Sequence, residues 1–453
     1  MNNLEGKKAV VLGLGVSGMG AARFLREKGA EVTVRDNATS AIVKERAETL
    51  RRHGIRVELG DAISTAESFD FGVISPGISP EVPLVRALRA QNIPLIGELE
   101  MASRYCACPI VAITGTNGKT TTTELIDALL RVGGKRTMAS GNIGTAFSAA
   151  VRESVNLDLM VLEVSSFQLE HIADFHPRIS VHLNLTPDHL DRYHSMEEYE
   201  RAKWQIFRNQ TADDYAIVNV SVRLPRLAAH KITFSTNGQL ADYQLLDGWL
   251  VAYGERVLEQ SRTRLIGAHN AENMLAALAV ADLYSVPRAA AIAALIAYRP
   301  LPHRCEHVGE IDGITFLNDS KATNIDALAK ALIAMPQPVV LLAGGKDKGL
   351  DFRPLLPLIR RHVKAAVLIG QMADKLFEAW SATVPCQRAS SLGDAFEQTL
   401  LLAEPGETVL FSPGCSSYDM FRDFEDRGNQ FRALVQARSG RAKPFSNQTP
   451  PQK

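Results

Sequence analysis

The stretch Cys108-Pro109-Ile110-Val111-Ala112-Ile113-Thr114-Gly115-Thr116-Asn117-Gly118-Lys119-Thr120-Thr121 constrains this chain more than any other. Four apolar residues after a proline read as a short buried strand, and Thr121 opens a run with Leu125, Ala128, Leu129 and Val132 at helical spacing. The turn Gly115-Thr116-Asn117-Gly118 lies between them, where glycines let successive N–H groups curl around an anion at the positive end of the helix. Lys119 supplies a point charge for β- and γ-phosphates, and the Thr120 hydroxyl can ligate magnesium. The pattern G-x-x-x-x-G-K-[ST] calls for glycine at position 113, which is Ile113, so the strict motif fails. The order strand, turn, Gly-Lys-Thr, amphipathic helix favours a nucleoside-triphosphate loop over a glycine turn with an exposed lysine.

One such loop does not account for 453 residues; at about 150 residues per domain three domains are expected. A net charge of zero implies no broad basic surface for nucleic acid. No apolar run follows the N-terminal charges and none reaches about 18 residues, so no membrane insertion is expected and the protein is expected to be cytoplasmic. Five cysteines, at 106, 108, 305, 386 and 415, are odd in number and lack paired metal spacing, which favours reduced thiols.

The chain begins with the strand Lys8-Ala9-Val10-Val11-Leu12, then Gly13-Leu14-Gly15-Val16-Ser17-Gly18 and a helix through Phe24 and Leu25. Asp36 ends the next strand about 20 residues on, so that G-x-G-x-x-G proposes a Rossmann-like domain whose ligand is any pyrophosphate on a ribose, a nicotinamide dinucleotide included. A further strand, Phe71 to Ile74, ends in Ser75-Pro76-Gly77-Ile78-Ser79, which is either a ligand turn or loop punctuation. This first unit should span residues 1–97. The central domain, 98–300, contains the nucleotide loop, then Ser140-Gly141-Asn142-Ile143-Gly144 and an apolar strand delivering Glu163 where a magnesium ligand belongs in a phosphate-loop fold. The strand Ile179 to Leu185 runs into Thr186-Pro187-Asp188-His189-Leu190-Asp191, with His189 at a strand tip. Ser195-Met196-Glu197-Glu198 has the form of a capping box starting a helix on which spacing alone makes Lys203 a surface lysine paired with Glu200. Residues 215–265 read as short strands and turns. Asn270 and Asn273 share a face of an alanine-rich helix, where amides read an adenine edge or cap the helix.

The proline-broken segment Tyr298-Arg299-Pro300-Leu301-Pro302-His303-Arg304 reads as a hinge. Beyond it, in 301–453, strands and helices alternate again as in a parallel α/β sheet. Three polar loops stand at the carboxyl ends of its strands, where open sheets bind ligand: Asn318 to Asn324, Gly344 to Lys348, and Ser412 to Ser417. The tail from Ser439 is expected to lack fixed structure.

Taken together, Gly115-Thr116-Asn117-Gly118-Lys119-Thr120, Ser140-Gly141-Asn142-Ile143-Gly144, Leu162-Glu163-Val164-Ser165-Ser166, Asn184 to Asp191 and Asn318-Asp319-Ser320-Lys321-Ala322-Thr323-Asn324 resemble the Mur ligases, ATP-dependent amide-forming enzymes of peptidoglycan precursor synthesis. The resemblance runs from Gly13 to Phe431, and Ile113 is a habit of the family. The Ser75 turn, Ser412 to Ser417, and Phe424-Glu425-Asp426-Arg427-Gly428 point to the member that adds D-glutamate.

The resemblance implies an α/β chain of three domains: a Rossmann-like N-terminal domain, a central phosphate-loop ATPase domain and a C-terminal Rossmann-like domain. It implies that Gly15, Ser17, Asp36, Ser75 and Gly77 face the uridine and pyrophosphate of UDP-N-acetylmuramoyl-L-alanine, which Asn142 and His189 also approach. ATP would be held by Gly115, Thr116, Asn117, Gly118, Lys119, Thr120, Thr121, Asn270, Asn273, Arg304 and Asp319, and D-glutamate by Thr323, Lys348, Ser417 and Phe424. Two magnesium ions would sit on Thr120, Glu163, His189 and a carbon dioxide adduct of Lys203, a lysine carbamate. The protein would act as a monomer through an acyl phosphate, with Lys119, Glu163, His189 and Lys203 as the catalytic set. The competing readings are a dehydrogenase, which leaves the Gly-Lys-Thr loop unexplained, an ATP-driven binding switch, and a sister ligase for another amino acid.

Overall fold

The computed structural model describes residues 4–60, 67–190, 192–265 and 267–439. The tail expectation beyond Ser439 and the Asp191 end of the histidine motif lie outside these residues. The described residues up to Leu185 and from Arg192 to Tyr298 form one compact unit, and those from Thr186 to Leu190 and from Arg299 onward form another.

In the first unit, β1 (Lys8–Leu12), β2 (Glu31–Asp36), β3 (Arg56–Leu59), β4 (Phe71–Ile74) and β5 (Leu95–Gly97) make a parallel sheet in the order β3-β2-β1-β4-β5. Alternation of side chains splits its strands between two cores. Ala9, Val11, Val32 and Val34 pack with Ala21 and Leu25 of the helix Val16–Glu27, while Val10, Leu12 and Ile74 pack with Val85 and Leu88. The strand order reverses between β1 and β4, so the Gly13 loop and the Ser75 turn flank the crevice where such sheets take a ligand.

The second sheet is built from β6 (Ile110–Thr114), β7 (Thr137–Gly141), β8 (Leu159–Glu163), β9 (Ile179–His182), β10 (Tyr215–Asn219), β11 (His230–Ser235), β12 (Tyr243–Leu246), β13 (Trp249–Ala252) and β14 (Glu255–Glu259). Its order is β14-β13-β12-β11-β10-β9-β6-β8-β7, parallel from β7 to β12 and antiparallel from there. The region read as short strands and turns is therefore the antiparallel edge and its approach. Val111 and Ile113 face Leu125 and Leu129 of the helix Lys119–Val132 and Met274 and Leu278 of the helix Ala268–Leu283. Val132, the last residue of the apolar run, lies outside that core and is exposed.

The second unit contains β15 (Glu306–Ile311), β16 (Ile314–Asn318), β17 (Val339–Gly344), β18 (Val363–Ile369), β19 (Cys386–Arg388) and β20 (Thr408–Phe411), ordered β15-β16-β20-β17-β18-β19. All pairs are parallel except β15 with β16. Leu341, Ala366, Leu368 and Leu410 face Leu332, Leu376 and Trp380, and Leu342, Val367, Val409 and Phe411 face Phe396 and Phe431. Both faces are apolar, as a sheet covered on both sides requires. Insertion of β20 between β16 and β17 gathers the loops after these three strands at one edge.

Candidate active site

The nucleotide loop takes its shape from two glycines. Gly115 has φ 152° and Gly118 φ 85°, and a Cβ on Gly118 would lie 2.2 Å from Asn273 Oδ1. Asn184 clamps the loop from β9's end: its Oδ1 accepts the Asn117 N–H at 2.9 Å and its Nδ2 donates to the Asn117 carbonyl at 3.0 Å. The Thr116 hydroxyl meets the Tyr199 hydroxyl at 3.3 Å. Lys119 Nζ crosses the turn and donates to the carbonyls of Gly115 and Thr116 at 2.9 and 2.8 Å. Thr120 and Thr121 open the helix and are buried.

The carboxylate at the tip of β8 sits where the sequence places it. Glu163, 3% exposed, accepts from Thr120 Oγ1 at 2.7 Å through Oε2 and from Asn142 Nδ2 at 2.8 Å through Oε1. The backbone N–H of Asn142 donates to the Glu163 carbonyl at 2.9 Å, so the Ser140 loop and the strand tip are locked together. Among the described residues no three His, Cys, Asp or Glu side chains form a cation cage. The donor set nevertheless suits magnesium, which is commonly held by one or two carboxylates, a hydroxyl and the substrate's own phosphates. Asn273 Nδ2 donates to Asn270 Oδ1 at 3.3 Å, confirming the shared face, and Asn273 Oδ1 accepts from Thr122 Oγ1 at 3.1 Å.

Lys203 departs from what its spacing says. It is 1% exposed rather than a surface residue, its Nζ donates to the Gly115 carbonyl at 2.8 Å, and it lies 4.6 Å from the Tyr199 ring centroid. Glu200 instead approaches Arg223, at 4.0 Å. The capping box also closes differently. Ser195 Oγ accepts the Glu198 N–H at 3.3 Å, but Glu198 Oε2 accepts from the His194 N–H at 2.9 Å. The extended backbone at Ser195 leaves His194 as the donor within reach.

At the first glycine motif, a Cβ on Gly18 would lie 1.9 Å from the Gly13 carbonyl oxygen, whereas Gly15 and Gly77 face open space. Ser75 Oγ donates to the Gly13 carbonyl at 3.3 Å, joining turn and loop. Asp36 accepts the Leu14 and Ala38 N–H groups at 2.6 and 2.8 Å, so part of its work is shaping the loop. Ser17 is half-buried in the first turn of the helix. Arg46 NH1 donates to the Leu14 carbonyl at 3.1 Å; this cation beside the loop has no motif signal.

In the second unit the three expected loops meet. Asp319 accepts from Ser412 Oγ at 2.8 Å and from the Cys305 N–H at 3.1 Å, and burial pushes its carboxyl up to about 6. Gly344 N–H donates to the Pro413 carbonyl and Lys346 N–H to the Ser416 carbonyl, both at 2.9 Å. Fully buried Arg427 ties the set together through Ser320 Oγ, the Ser320 carbonyl and the Cys415 carbonyl. Phe424 lies under Lys321, with Nζ 3.8 Å from the ring centroid. Ser417 is buried and Arg304 and Thr323 half-buried. Lys348 Nζ donates to Asp188 Oδ1 at 3.2 Å and Asn324 Nδ2 to Asp188 Oδ2 at 3.0 Å. Those partners, Lys348 foremost, hold the Asp188 carboxyl below its usual range despite burial. His189 has φ 57° in the left-handed region and its Nε2 lies 3.8 Å from Asp188 Oδ2. Asp188 and Asn184 stand in motifs named above and Tyr199 in none, and only their long-range bonds reveal what they do.

A strand, a glycine turn, a lysine, a helix N-terminus and a facing carboxylate define a nucleotide-binding protein of the phosphate-loop class. Residues 7–97 match the model of the Mur ligase MurD-like N-terminal domain, 113–281 the Mur ligase middle domain, and 303–415 the Mur ligase glutamate ligase domain. The chain is similar to UDP-N-acetylmuramoylalanine--D-glutamate ligase of Syntrophotalea carbinolica, 42% identical with 97% of this chain and 100% of that protein covered. The enzyme of that name from Acidobacterium capsulatum is 42% identical, with 97% and 98% covered. The chain belongs to the Mur ligase family. The three-domain α/β architecture is shared with UDP-N-acetylmuramate-alanine ligase of Thermotoga maritima, at TM-score 0.63, 19% identity and 95% and 99% coverage. It is shared too with MurF ligase of Thermotoga maritima in complex with ADP, at TM-score 0.57, 15% identity and 97% and 96% coverage.

Proposed function

We propose that this chain is the ATP-dependent ligase that joins D-glutamate to UDP-N-acetylmuramoyl-L-alanine in peptidoglycan precursor synthesis. The observation that carries the reading is the Thr120–Glu163–Asn142 cluster on the nucleotide loop, in a chain alike over nearly its whole length to ligases of that name. The domain bounds go with it: 1–97 for the UDP-sugar, with Gly15, Ser17, Asp36, Ser75 and Gly77; 98–300 for ATP; 301–453 for the amino acid, with Thr323, Lys348, Ser417 and Phe424.

An alanyl carboxylate oxygen attacks the γ-phosphorus of ATP, ADP leaves, and the acyl phosphate is attacked by the D-glutamate amine with loss of phosphate and a proton. Two anions must meet in the first step. Lys119 and the positive end of its helix offset that repulsion where it is greatest. Thr120 and Glu163 would hold magnesium, which neutralises the developing phosphate charge. Asn142 orients Glu163, and His189 would contribute to holding a second ion. Asn270 and Asn273 take the adenine, Arg304 and Asp319 the ribose and phosphates. Lys348 exchanges Asp188 for a glutamate carboxylate.

Lys203 is the residue with the most at stake. A buried ammonium beside magnesium would repel it, and a neutral amine is a poor ligand for a cation that prefers oxygen. Attack of the neutral amine nitrogen on carbon dioxide, with loss of one proton, gives a carbamate, which supplies oxygen ligands and reverses the charge. Lys203→Ala and Lys203→Arg are both expected to lose at least about 100-fold in turnover while folded, since guanidinium forms no such adduct. Labelling with carbon-13 dioxide should give a carbamate carbonyl signal absent from both variants. A fully active arginine variant refutes the adduct.

The protein is read as a cytoplasmic monomer acting on small molecules without nucleic acid or membrane. Its zero net charge supports the absence of a broad basic surface for nucleic acid, and among the described residues no helix is long and apolar enough to cross a membrane. Phosphate release with a panel of amino acids tests the whole reading. D-glutamate with the UDP-sugar should give turnover, and turnover with another amino acid instead assigns the chain to a sister activity.

A further inference from the structure

The first glycine motif brings two anions together and contains no cation of its own. Asp36 Oδ2 accepts the Leu14 N–H at 2.6 Å, so a carboxylate stands on one side of the Leu14 peptide, and the reading above brings a diphosphate to the same loop. Like charges a few ångströms apart repel unless a cation stands beside them. From Gly13 to Gly20 the chain reads Gly-Leu-Gly-Val-Ser-Gly-Met-Gly, with no lysine, arginine or histidine.

Arg46 reaches this loop from 32 residues away. It lies in the helix Ala41–Arg52, whose Ala47 and Leu50 are buried in the core with Val43 packed against it, and it is half-buried. Its NH1 donates to the Leu14 carbonyl at 3.1 Å. That acceptor is neutral, so the guanidinium charge is not cancelled, and four of its five N–H donors remain for other partners. Helical spacing offers it no carboxylate, since the positions three and four away hold Ile42, Val43, Thr49 and Leu50. Two other arginines near this crevice are ion-paired instead. Arg35 lies 2.8 Å from Glu58 and 3.3 Å from Glu67. Arg192 reaches the Ile78 carbonyl beside the Ser75 turn at 3.3 Å, but lies 2.6 Å from Glu170. Among the described residues no acidic side chain pairs with Arg46 in this way.

We propose, resting on the UDP-sugar reading of this domain given above, that Arg46 is the cation that binds the diphosphate of the UDP-sugar. The planar fork suits two phosphate oxygens at once, and a charge-assisted pair of that kind is stronger than a hydrogen bond between neutral groups. Gly15, beside which a Cβ would meet nothing within 4 Å, leaves room for the phosphates against the loop backbone. The diphosphate takes no part in bond making at the alanyl carboxylate, so its contact with Arg46 is the same in the bound substrate and in the transition state. Loss of such a contact raises the Michaelis constant rather than lowering the turnover number.

The test varies each of the three substrates in turn in a phosphate-release assay, with urea unfolding to check that the variants are folded. Arg46→Gln keeps an N–H for the Leu14 carbonyl and removes the charge; Arg46→Lys keeps the charge and removes the fork. In Arg46→Gln the Michaelis constant for the UDP-sugar should rise at least about tenfold, as loss of a charge-assisted hydrogen bond requires, while those for ATP and D-glutamate stay within about twofold. Arg46→Lys should shift the same constant by less, and it carries the comparison if the glutamine variant does not fold. Calorimetric titration with UDP alone, which needs no turnover, should show the same order of weakening: wild type, lysine, glutamine. An unchanged UDP-sugar constant in a folded glutamine variant, a rise shared equally by ATP and D-glutamate, or UDP binding equal in all three proteins overturns the proposal and leaves Arg46 as a brace for the Leu14 carbonyl. A wild-type protein that turns over no UDP-sugar overturns the reading of the domain instead, so the two failures are told apart.

Discussion

Glu163→Gln separates the charge of the strand-tip carboxylate from its shape. Both oxygens are engaged, by Thr120 and Asn142, and the side chain is nearly sealed from solvent. An amide keeps one acceptor for Asn142 Nδ2 and turns its NH₂ toward Thr120 Oγ1, which accepts as readily as it donates. Two hydrogen bonds to a charged acceptor become neutral ones, a loss of about 1–3 kcal/mol in sum. That loss is offset by no longer desolvating a carboxylate, which costs several kcal/mol. Folding stability should therefore change by no more than about 2 kcal/mol, read by urea unfolding without ligands. The charge facing magnesium falls from minus one to zero, and a single charge-stabilising group at a phosphoryl-transfer site is worth about 3 kcal/mol or more. Turnover should fall at least about 100-fold, which is that energy as a rate ratio. The magnesium concentration giving half-maximal rate should rise at least about tenfold, as expected when a ligand is neutralised. Phosphate release over a magnesium titration measures both. A folded Gln variant with the wild-type magnesium midpoint would show that Glu163 is a structural acceptor for Thr120 and Asn142, and the metal assignment would fall.

Lys119→Ala removes an amine whose partners include two loop carbonyls; activity should fall at least about 100-fold with folding intact, and unchanged turnover refutes the phosphate role. Lys348→Ala should raise the Michaelis constant for D-glutamate far more than that for ATP; an equal rise moves the residue to the nucleotide or to a structural pairing with Asp188. Asp319 gives a pH dependence: its carboxyl is raised from 3.8 to about 6, so the fold favours the protonated form, and that stability is complete below the unfolded value and lost as pH rises through about 6. The shift corresponds to about 3 kcal/mol. Unfolding of Asp319→Asn and wild type by urea should therefore differ more in the variant's favour at pH 7.5 than at pH 4.5, and a constant difference refutes the burial argument.

The sequence by itself determined the parts that depend on neighbours along the chain. Strand, glycine turn, Lys119 and helix form one continuous stretch, so spacing alone gives the loop, and the apolar run before Glu163 gives a carboxylate at a strand tip. That the loops after β16, β17 and β20 are neighbours was legible because alternating strands and helices force them to the same edge of a parallel sheet. Tertiary structure decided what depends on partners far away in sequence. Lys203 reads as a surface lysine because its helical neighbours are charged, and its burial comes from Gly115, 88 residues earlier. Asp36 reads along the chain as a ribose ligand alone, and only the fold adds the Leu14 N–H to its partners, across 22 residues. Asn184 gains its role from a loop 67 residues away. Local spacing fixes which face of a helix or strand a side chain occupies, but hydrogen bonds between elements depend on sheet order, and in these sheets that order is not the order of the chain.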